Sequence, residues 1–462
     1  MTSINSQRRA TWLIKFREAI SRTLVFAFMA QILQYSSGLL IIPFLVTRLS
    51  PEEVGIWYVF IAVQSLAFIT DFGFQPTFTR AFAAAHAGAT KLITHGLGEP
   101  IFEAEGPNQN LIGEILVAAK IFYSLLAVAV LLLLIAFGLP YVTALVSRGG
   151  SDMASAQMAW VIFAVGIALN LYVQWIGSAL MGGGQIISNY RFIIVNRLGF
   201  CIAGIATLLA GGGLIGLAVS QILAQILALA TVIPTLRKVS GVSPSHIDRR
   251  DGVRQVLKTV WPNASRMGTV AIGGFLITRF SIFAVSTFAG LAAVGSYAIS
   301  LQILSAVNGV AQMPMQVSMP QIVAARVAGD REGLKRLFLL AMGMFLGLFI
   351  VGSIAAIAIV PELINLSGSQ ISLLPRTILV LMAIIILLEG FHSNAAFFIT
   401  TANKVPFMRP AILSGIAVAT TMIIAGWLGG GIVAIILCQG LVQLAYNNWR
   451  WPLLAWRDIH SR

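Results

Sequence analysis

Four basic residues lie within otherwise apolar stretches of this sequence: Lys120, Arg197, Arg266 and Arg279. Placing one such side chain at the centre of a membrane helix costs roughly 2.5–3.5 kcal/mol. Charged residues at that depth usually face the interior of a helix bundle or a water-filled cavity. Positive charge in such a place indicates a protein that handles an anion.

The composition is that of a membrane protein. Hydrophobic residues make up 58% of the 462 residues and charged residues 10%, against about 25% charged residues in a typical soluble domain. The formal charge of +14 does not predict nucleic-acid binding, because the bases cluster in short segments between apolar runs. Cys201 and Cys438 lie within apolar runs and predict no disulfide, and scattered histidines predict no metal site.

Hydropathy predicts twelve membrane spans of about 20 residues or more. Placing the N-terminus in the cytoplasm leaves only Arg48, Arg148 and Arg376 at the outer side, so both termini are predicted to be cytoplasmic. We therefore predict an all-α polytopic membrane protein with five parts. These are an amphipathic interfacial segment (1–22), a first lobe of six spans (23–236), a basic cytoplasmic linker (237–259), a second lobe of six spans (260–450) and a cytoplasmic tail (451–462).

The two predicted lobes contain an internal repeat. The segment GGGLIGLAVSQILAQ (211–225) matches GGGIVAIILCQGLVQ (429–443), and the match pairs two glutamines of each segment, among them Gln225 with Gln443. Six spans return the chain to the same side of the membrane, so the repeats are predicted to be parallel, with a transport path at their interface. Rocking of one lobe against the other then gives alternating access.

The stretch 40–83 resembles the N-terminal region of polysaccharide flippases in the multidrug/oligosaccharidyl-lipid/polysaccharide (MOP) exporter superfamily. The features that carry the resemblance are Pro43, Thr47-Arg48-Leu49, Pro51-Glu52-Glu53, Gly55, Asp71-x-Gly73 and Arg80. The resemblance implies a MATE-like fold and a flippase of the Wzx type, for O-antigen or exopolysaccharide. Such a flippase moves undecaprenyl-pyrophosphate-linked oligosaccharide across the bacterial inner membrane. The polar loop 84–110 is longer than the family pattern and receives no role.

The same resemblance implies the partners of the protein. They are the lipid-linked oligosaccharide, the membrane lipids, a Na⁺ or H⁺ coupling ion, and a polysaccharide polymerase with its chain-length regulator. No cofactor is expected. The pyrophosphate would meet bases at graded depths, since arginine and lysine both bind phosphate; these are Arg48, Lys120, Arg197, Arg266 and Arg279.

An alternative role for the embedded bases is charge neutralisation. They would then form salt bridges with Asp71, Glu114 and Glu389, or extend toward the membrane surface. Asp71 and Glu389 are also the candidates for ion coupling, because proton relays in transporters use carboxylates at membrane depth. The sequence leaves both interpretations open.

Amide side chains within predicted spans are candidates for hydrogen bonds to sugar hydroxyls. Gln31 and Gln34 share a face of the first span, and Asn170 and Gln174 share a face of the fourth. We expect these four to contact the sugar. The glutamines that the internal repeat pairs are expected to hydrogen-bond between helices instead.

The sequence is less consistent with two other functions than with a flippase. A cation-coupled antiporter of drugs or metabolites would favour an acidic and aromatic pocket, whereas embedded bases here outnumber embedded acids. A membrane glycosyltransferase or polymerase is disfavoured, because the longest outer loop, 140–155, carries few reactive side chains. We therefore predict a transporter rather than an enzyme.

Overall fold

The structure, a computed structural model, is built from α-helices. It describes residues 2–90, 92, 106–149, 152–239, 249–402 and 406–460, with the backbone alone for 2–22, 24, 149, 238–239, 249–251 and 262–267. Within these ranges there is no β-strand, and the predicted all-α class is confirmed. The side chains of the predicted interfacial segment 1–22, and most of the loop 84–110, lie outside the described residues.

Seventeen α-helices follow one another along the described chain. They are α1 (Thr2–Arg48), α2 (Pro51–Ile69), α3 (Phe74–His86), α4 (Gln109–Leu133), α5 (Leu139–Gly149), α6 (Met153–Tyr172), α7 (Gln174–Gly182), α8 (Ile186–Leu209), α9 (Gly213–Val239), α10 (Arg249–Thr278), α11 (Phe280–Phe288), α12 (Leu291–Val327), α13 (Arg331–Leu366), α14 (Arg376–Thr400), α15 (Met408–Trp427), α16 (Gly431–Ala445) and α17 (Asn447–His460). A π-helical segment, Leu134–Gly138, joins α4 to α5.

Twelve stretches of these helices are long and apolar enough to cross a membrane, as the sequence predicts. Four of the spans consist of more than one helical segment. Span 3 contains the π-helical segment, span 4 is interrupted at Val173, span 7 at Arg279 and span 12 at Tyr446. Interrupted helices in transporters commonly lie beside a binding site at membrane depth, because the freed backbone groups need a polar surrounding.

The internal repeat is visible in the backbone of the two glycine-rich turns. Gly211 has φ of 78° and Gly429, its partner in the repeat, has φ of 72°, a left-handed conformation that glycine adopts without strain. The next amides, those of Gly212 and Gly430, each donate to the carbonyl five residues earlier. The matched segments therefore fold into the same turn in both lobes.

The two lobes approach each other closely through small residues. Gly55 of α2 packs on the backbone of Leu291 at the start of α12, where a side chain at position 55 would collide with the Leu291 carbonyl. Further along α12, Gly309 packs against the ring of Tyr35 of α1. These contacts place span 1 and span 2 of the first lobe directly against span 8 of the second.

Large apolar side chains cover the exterior of the bundle. Leu132, Phe137 and Val351 are 65%, 71% and 69% exposed. An exposed apolar surface of this extent indicates contact with lipid tails, because a soluble protein rarely exposes large contiguous apolar patches. Inside the first lobe, Trp57 packs edge-on against Phe163 and stacks on Phe200, which joins span 2 to spans 4 and 5.

Candidate functional site

A cavity of about 690 Å³ lies between the two lobes. Its wall is formed mainly by spans 1, 2, 4, 5 and 6 of the first lobe, and spans 7 and 8 of the second lobe complete it. This is the interface at which the parallel repeat predicts a transport path.

Two of the predicted bases line the cavity from opposite lobes. Arg197 belongs to α8, and Arg279 sits at the interruption between α10 and α11. The Arg197 side chain is exposed although it lies near the middle of span 5, because it opens onto the cavity. Among the described side chains, neither arginine forms a salt bridge or a hydrogen bond. Their charges are thus available to a ligand.

The cavity lining that the structure describes contains no carboxylate. Instead it carries many neutral amide side chains, which can both donate and accept hydrogen bonds. They are Gln34, Gln64, Gln75, Asn170, Gln174, Asn189, Asn196, Gln221, Gln225 and Gln302. A surface of two arginines and many amides is suited to an anionic group attached to a neutral, hydroxyl-rich one.

Three of the amides form a network at the first-lobe wall. The Gln225 Oε1 atom accepts hydrogen bonds from Asn196 Nδ2 at 2.6 Å and from Asn170 Nδ2 at 3.3 Å. The bonds join α9 to α8 and α6, so the predicted interhelical role of Gln225 is confirmed. Because all three residues also line the cavity, the network belongs to the site as well as to the packing.

The four predicted sugar contacts separate into two groups. Gln34, Asn170 and Gln174 line the cavity. Gln31 does not, and its Nε2 atom donates to Gln316 Oε1 of α12 at 3.1 Å. Gln31 therefore links span 1 to span 8 beside the cavity.

Two other predicted bases, Arg48 and Lys120, do not line the cavity. Arg48 is exposed at the end of α1. The Lys120 ammonium lies 4.8 Å from the ring centre of Trp175, a cation–π contact within the first lobe. The Arg266 side chain lies outside the described residues.

The two predicted coupling acids have different surroundings. Asp71 follows α2 and accepts a hydrogen bond from the Tyr123 hydroxyl at 2.5 Å and another from the backbone amide of Gln75 at 3.3 Å. It thereby fixes the start of α3. Glu389 lies in α14 behind the cavity wall, where its carboxylate accepts from Gln439 Nε2 at 2.9 Å and interacts electrostatically with Arg279.

A second polar network fills the interior of the second lobe. Asn447 Nδ2 donates to Ser414 Oγ at 3.0 Å and to Gln443 Oε1 at 2.7 Å, and all three residues are buried. His392 Nδ1 lies 2.8 Å from Asn448 Oδ1. None of these residues lines the cavity. Within the described part of the chain, no three His, Cys, Asp or Glu side chains are grouped to hold a metal ion.

Several residues of the cavity wall cannot be identified from the sequence. Tyr58 and Asn196 are adjacent to Trp57 and Arg197, but nothing in their local sequence separates them from lipid-facing or buried neighbours. The interruption at Arg279 is not signalled either, since no proline or glycine lies within four residues of it. The embedded base Arg197 is the sequence signal that points to this part of α8.

Comparison with protein families gives one match, to the family described as "Polysaccharide biosynthesis protein". It covers residues 21–326, about two-thirds of the chain, including the first lobe and the first two spans of the second. No curated protein sequence matches the chain significantly.

Solved structures with the same fold cover nearly the whole chain. One is the inward-facing conformation of a multidrug resistance MATE family transporter of the MOP superfamily, with a TM-score of 0.64, 14% identity, and 92% of this chain and 95% of that chain covered. Another is a MOP superfamily transporter from Pyrococcus furiosus, for which a reverse polarity of the binding pocket suggests a different function. Its TM-score is 0.58 at 14% identity, with coverage of 95% and 96%. At this identity the likeness establishes the fold.

Proposed function

Because the chain belongs to the polysaccharide biosynthesis protein family and has the fold of MOP-superfamily transporters, we propose that it is a flippase for lipid-linked oligosaccharide. It is a transporter rather than an enzyme. The proposed substrate is an oligosaccharide joined through a diphosphate to a polyprenyl lipid such as undecaprenol. The proposed movement is from the cytoplasmic to the outer leaflet, by alternating access of the cavity, for O-antigen or exopolysaccharide synthesis.

One observation supports this substrate above others. Arg197 and Arg279 face the same cavity from opposite lobes, and the described lining holds no carboxylate to neutralise them. An organic cation would be repelled by this surface. A diphosphate would exchange its hydration for charge-assisted hydrogen bonds, which are stronger than neutral ones in a site of low dielectric.

The position of the two arginines also relates binding to movement. A diphosphate held by both would bridge the lobes at their interface, so its binding would stabilise the arrangement in which the lobes are close. The tight contact of Gly55 with Leu291 closes the lobes on one side of the cavity. We propose that this contact opens when the cavity turns to the other side of the membrane.

The remaining predicted residues have secondary roles in the proposal. Lys120 and Arg266 would attract the diphosphate on the cytoplasmic side, and Arg48 would meet it at the outer side. Gln31 would act between the lobes through its bond to Gln316. Gln34, Asn170 and Gln174 would hydrogen-bond the sugar from the cavity wall.

Coupling to an ion gradient is assigned in the proposal to Glu389 rather than to Asp71. Glu389 interacts electrostatically with Arg279, so binding of H⁺ or Na⁺ to Glu389 would change the charge that the cavity presents. Asp71 bonds to Tyr123 and to the start of α3, and a structural role accounts for these contacts. The proposed location is the bacterial inner membrane with both termini in the cytoplasm, beside a polysaccharide polymerase and its chain-length regulator.

Reconstituted vesicles test this function directly. A short-chain polyprenyl diphosphate carrying a fluorescent sugar is placed in the inner or outer leaflet, and its movement is followed by quenching from one side. The wild type is expected to move it, and the double variant Arg197→Gln/Arg279→Gln is expected to be inactive. Transport of an organic cation dye without transport of the diphosphate lipid would instead favour the cation-coupled antiporter.

A further inference from the structure

We infer that Tyr58 and Gln225 form a subsite for the sugar that is attached directly to the diphosphate. The inference rests on the proposed function and makes it more specific. It assigns recognition of the sugar to two residues, each of which has one polar atom without a hydrogen-bond partner in the described part of the chain.

Gln225 lines the cavity, and two hydrogen bonds fix the orientation of its amide. Asn170 and Asn196 both donate to its Oε1 atom, so its Nε2 atom must point away from them. Gln225 is 3% exposed, and Nε2 has no hydrogen-bond partner among the described residues. A buried donor without a partner loses hydration without compensation, and a ligand oxygen in the cavity would supply the missing bond.

Tyr58 provides a second polar atom of the same kind. It is 3% exposed and lines the cavity, and its hydroxyl has no hydrogen-bond partner in the described part of the chain. A phenylalanine would fill the same space without that cost. A ligand in the cavity would supply the partner that the described residues do not provide.

Both residues line the same cavity as Arg197, on helices that contact α8. Asn196 of α8 donates to Gln225 of α9. Phe200 of α8 stacks on Trp57 of α2, the residue before Tyr58, with ring centres 6.2 Å apart. A group bonded to Gln225 and Tyr58 would therefore occupy the same cavity as a phosphate held by Arg197.

The chemistry of the subsite indicates an uncharged, oxygen-rich ligand. Gln225 Nε2 is a donor, the Tyr58 hydroxyl can donate or accept, and no carboxylate in the described lining would bind a cationic group. Sugar hydroxyls and an acetamido carbonyl have the complementary atoms. The cavity volume, about 690 Å³, is in the range that holds a drug-sized molecule, so it suits a diphosphate with its first sugar rather than a whole glycan.

The decisive variant is Tyr58→Phe, which removes the unpartnered hydroxyl and no hydrogen bond that the structure describes. Purified protein in lipid nanodiscs is titrated with three probes: farnesyl diphosphate, its hexosyl derivative and its N-acetylhexosaminyl derivative. Wild type should bind at least one sugar derivative more tightly than farnesyl diphosphate. Tyr58→Phe should weaken binding of that derivative about three- to tenfold, the value of one neutral hydrogen bond. Binding of farnesyl diphosphate should be unchanged.

Three further variants separate the inference from the proposed function. Gln225→Met should weaken binding of the sugar derivative in the same way, whereas Arg197→Gln should weaken binding of all three probes. Ser353→Ala is the matched control, since Ser353 is also a buried hydroxyl without a described partner but does not line the cavity. It should change no affinity.

One result would contradict the sugar subsite, and another would contradict the flippase proposal. If wild type binds the diphosphate probes and Tyr58→Phe affects the sugar derivatives no more than farnesyl diphosphate, the subsite is wrong and the flippase proposal stands. If wild type binds none of the three probes, the flippase proposal itself fails. Thermal stability provides a second readout, because Tyr58→Phe should leave the empty protein as stable as wild type or more so.

Discussion

In the first lobe the repeated glutamines line the cavity, whereas in the second lobe the equivalent glutamines do not. Gln221 and Gln225 line the cavity, and Gln225 is held there by two asparagines. Their repeat partners, Gln439 and Gln443, are buried and bond to Glu389 and to a neighbouring asparagine. The repeat thus places the same side chains in both lobes. Those of the first lobe line the cavity, whereas those of the second bond to a carboxylate and to an asparagine.

The arginines differ between the lobes as well. The register that pairs Gln225 with Gln443 also pairs Arg197 with Gly415. Gly415 packs tightly on the backbone of Gly273 in α10, so this position of the second lobe has no room for a charged side chain. The second lobe supplies its arginine from span 7 instead, at the interruption where Arg279 lies. The cavity is therefore not symmetric, although the two lobes contain the same sequence repeat.

Among the tests of this asymmetry, substitution of each arginine alone is expected to have the largest effect on binding. Arg197 has no described partner and presents its full charge, whereas the charge of Arg279 is partly offset by Glu389. Arg197→Gln should weaken diphosphate-lipid binding about 10- to 100-fold, the value of a charge-assisted hydrogen bond. Arg279→Gln should weaken it less. The measurement is titration of nanodisc-embedded protein with farnesyl diphosphate.

Arg376→Gln is the control for these variants, because Arg376 forms an exposed salt bridge with Glu362 that is worth little. Binding by this variant should equal that of wild type. An equal loss in Arg197→Gln and Arg279→Gln would contradict the asymmetry, and no loss in either would remove both arginines from the site.

A smaller effect, on stability, is expected from substitution of the glutamines that the repeat pairs. Gln439→Leu leaves the Glu389 carboxylate without its hydrogen bond, and this should cost about 1–3 kcal/mol of stability. Gln221→Leu, at the equivalent position, removes no hydrogen bond that the structure describes and should leave stability nearly unchanged. Thermal unfolding of the two variants in the same detergent measures the difference. Equal destabilisation would show that the two lobes use these glutamines alike.

The smallest expected effect is the coupling between Arg279 and Glu389. Without the Arg279 charge, the Glu389 carboxylate should repel an anionic ligand, so Glu389→Gln in the Arg279→Gln background should restore part of the binding. We expect a coupling of about 0.5–1 kcal/mol, or roughly two- to fivefold in affinity. A double-mutant cycle on farnesyl diphosphate binding measures it. Additive effects of the two substitutions would show that Glu389 does not influence the cavity.

Much of the fold and part of the site could be predicted from the sequence. The spans followed from hydropathy, and the glycine-rich repeat gave the parallel lobes. Arg197 and Arg279 stood out because a base at membrane depth is costly. The interruption at Arg279 could not be predicted, since no proline or glycine lies within four residues of it. Tyr58 could not be assigned either, because only the folded structure shows that its buried hydroxyl lacks a partner.

A cavity of about 690 Å³ limits how much of a long glycan the protein can touch at once. Residues on its wall can contact a diphosphate and the nearest sugar, and the later sugar units of the glycan must remain in water. Under the proposed function, strains whose glycans begin with the same sugar but differ in later units could exchange this carrier without loss of export. Glycans that begin with another sugar would need a different one.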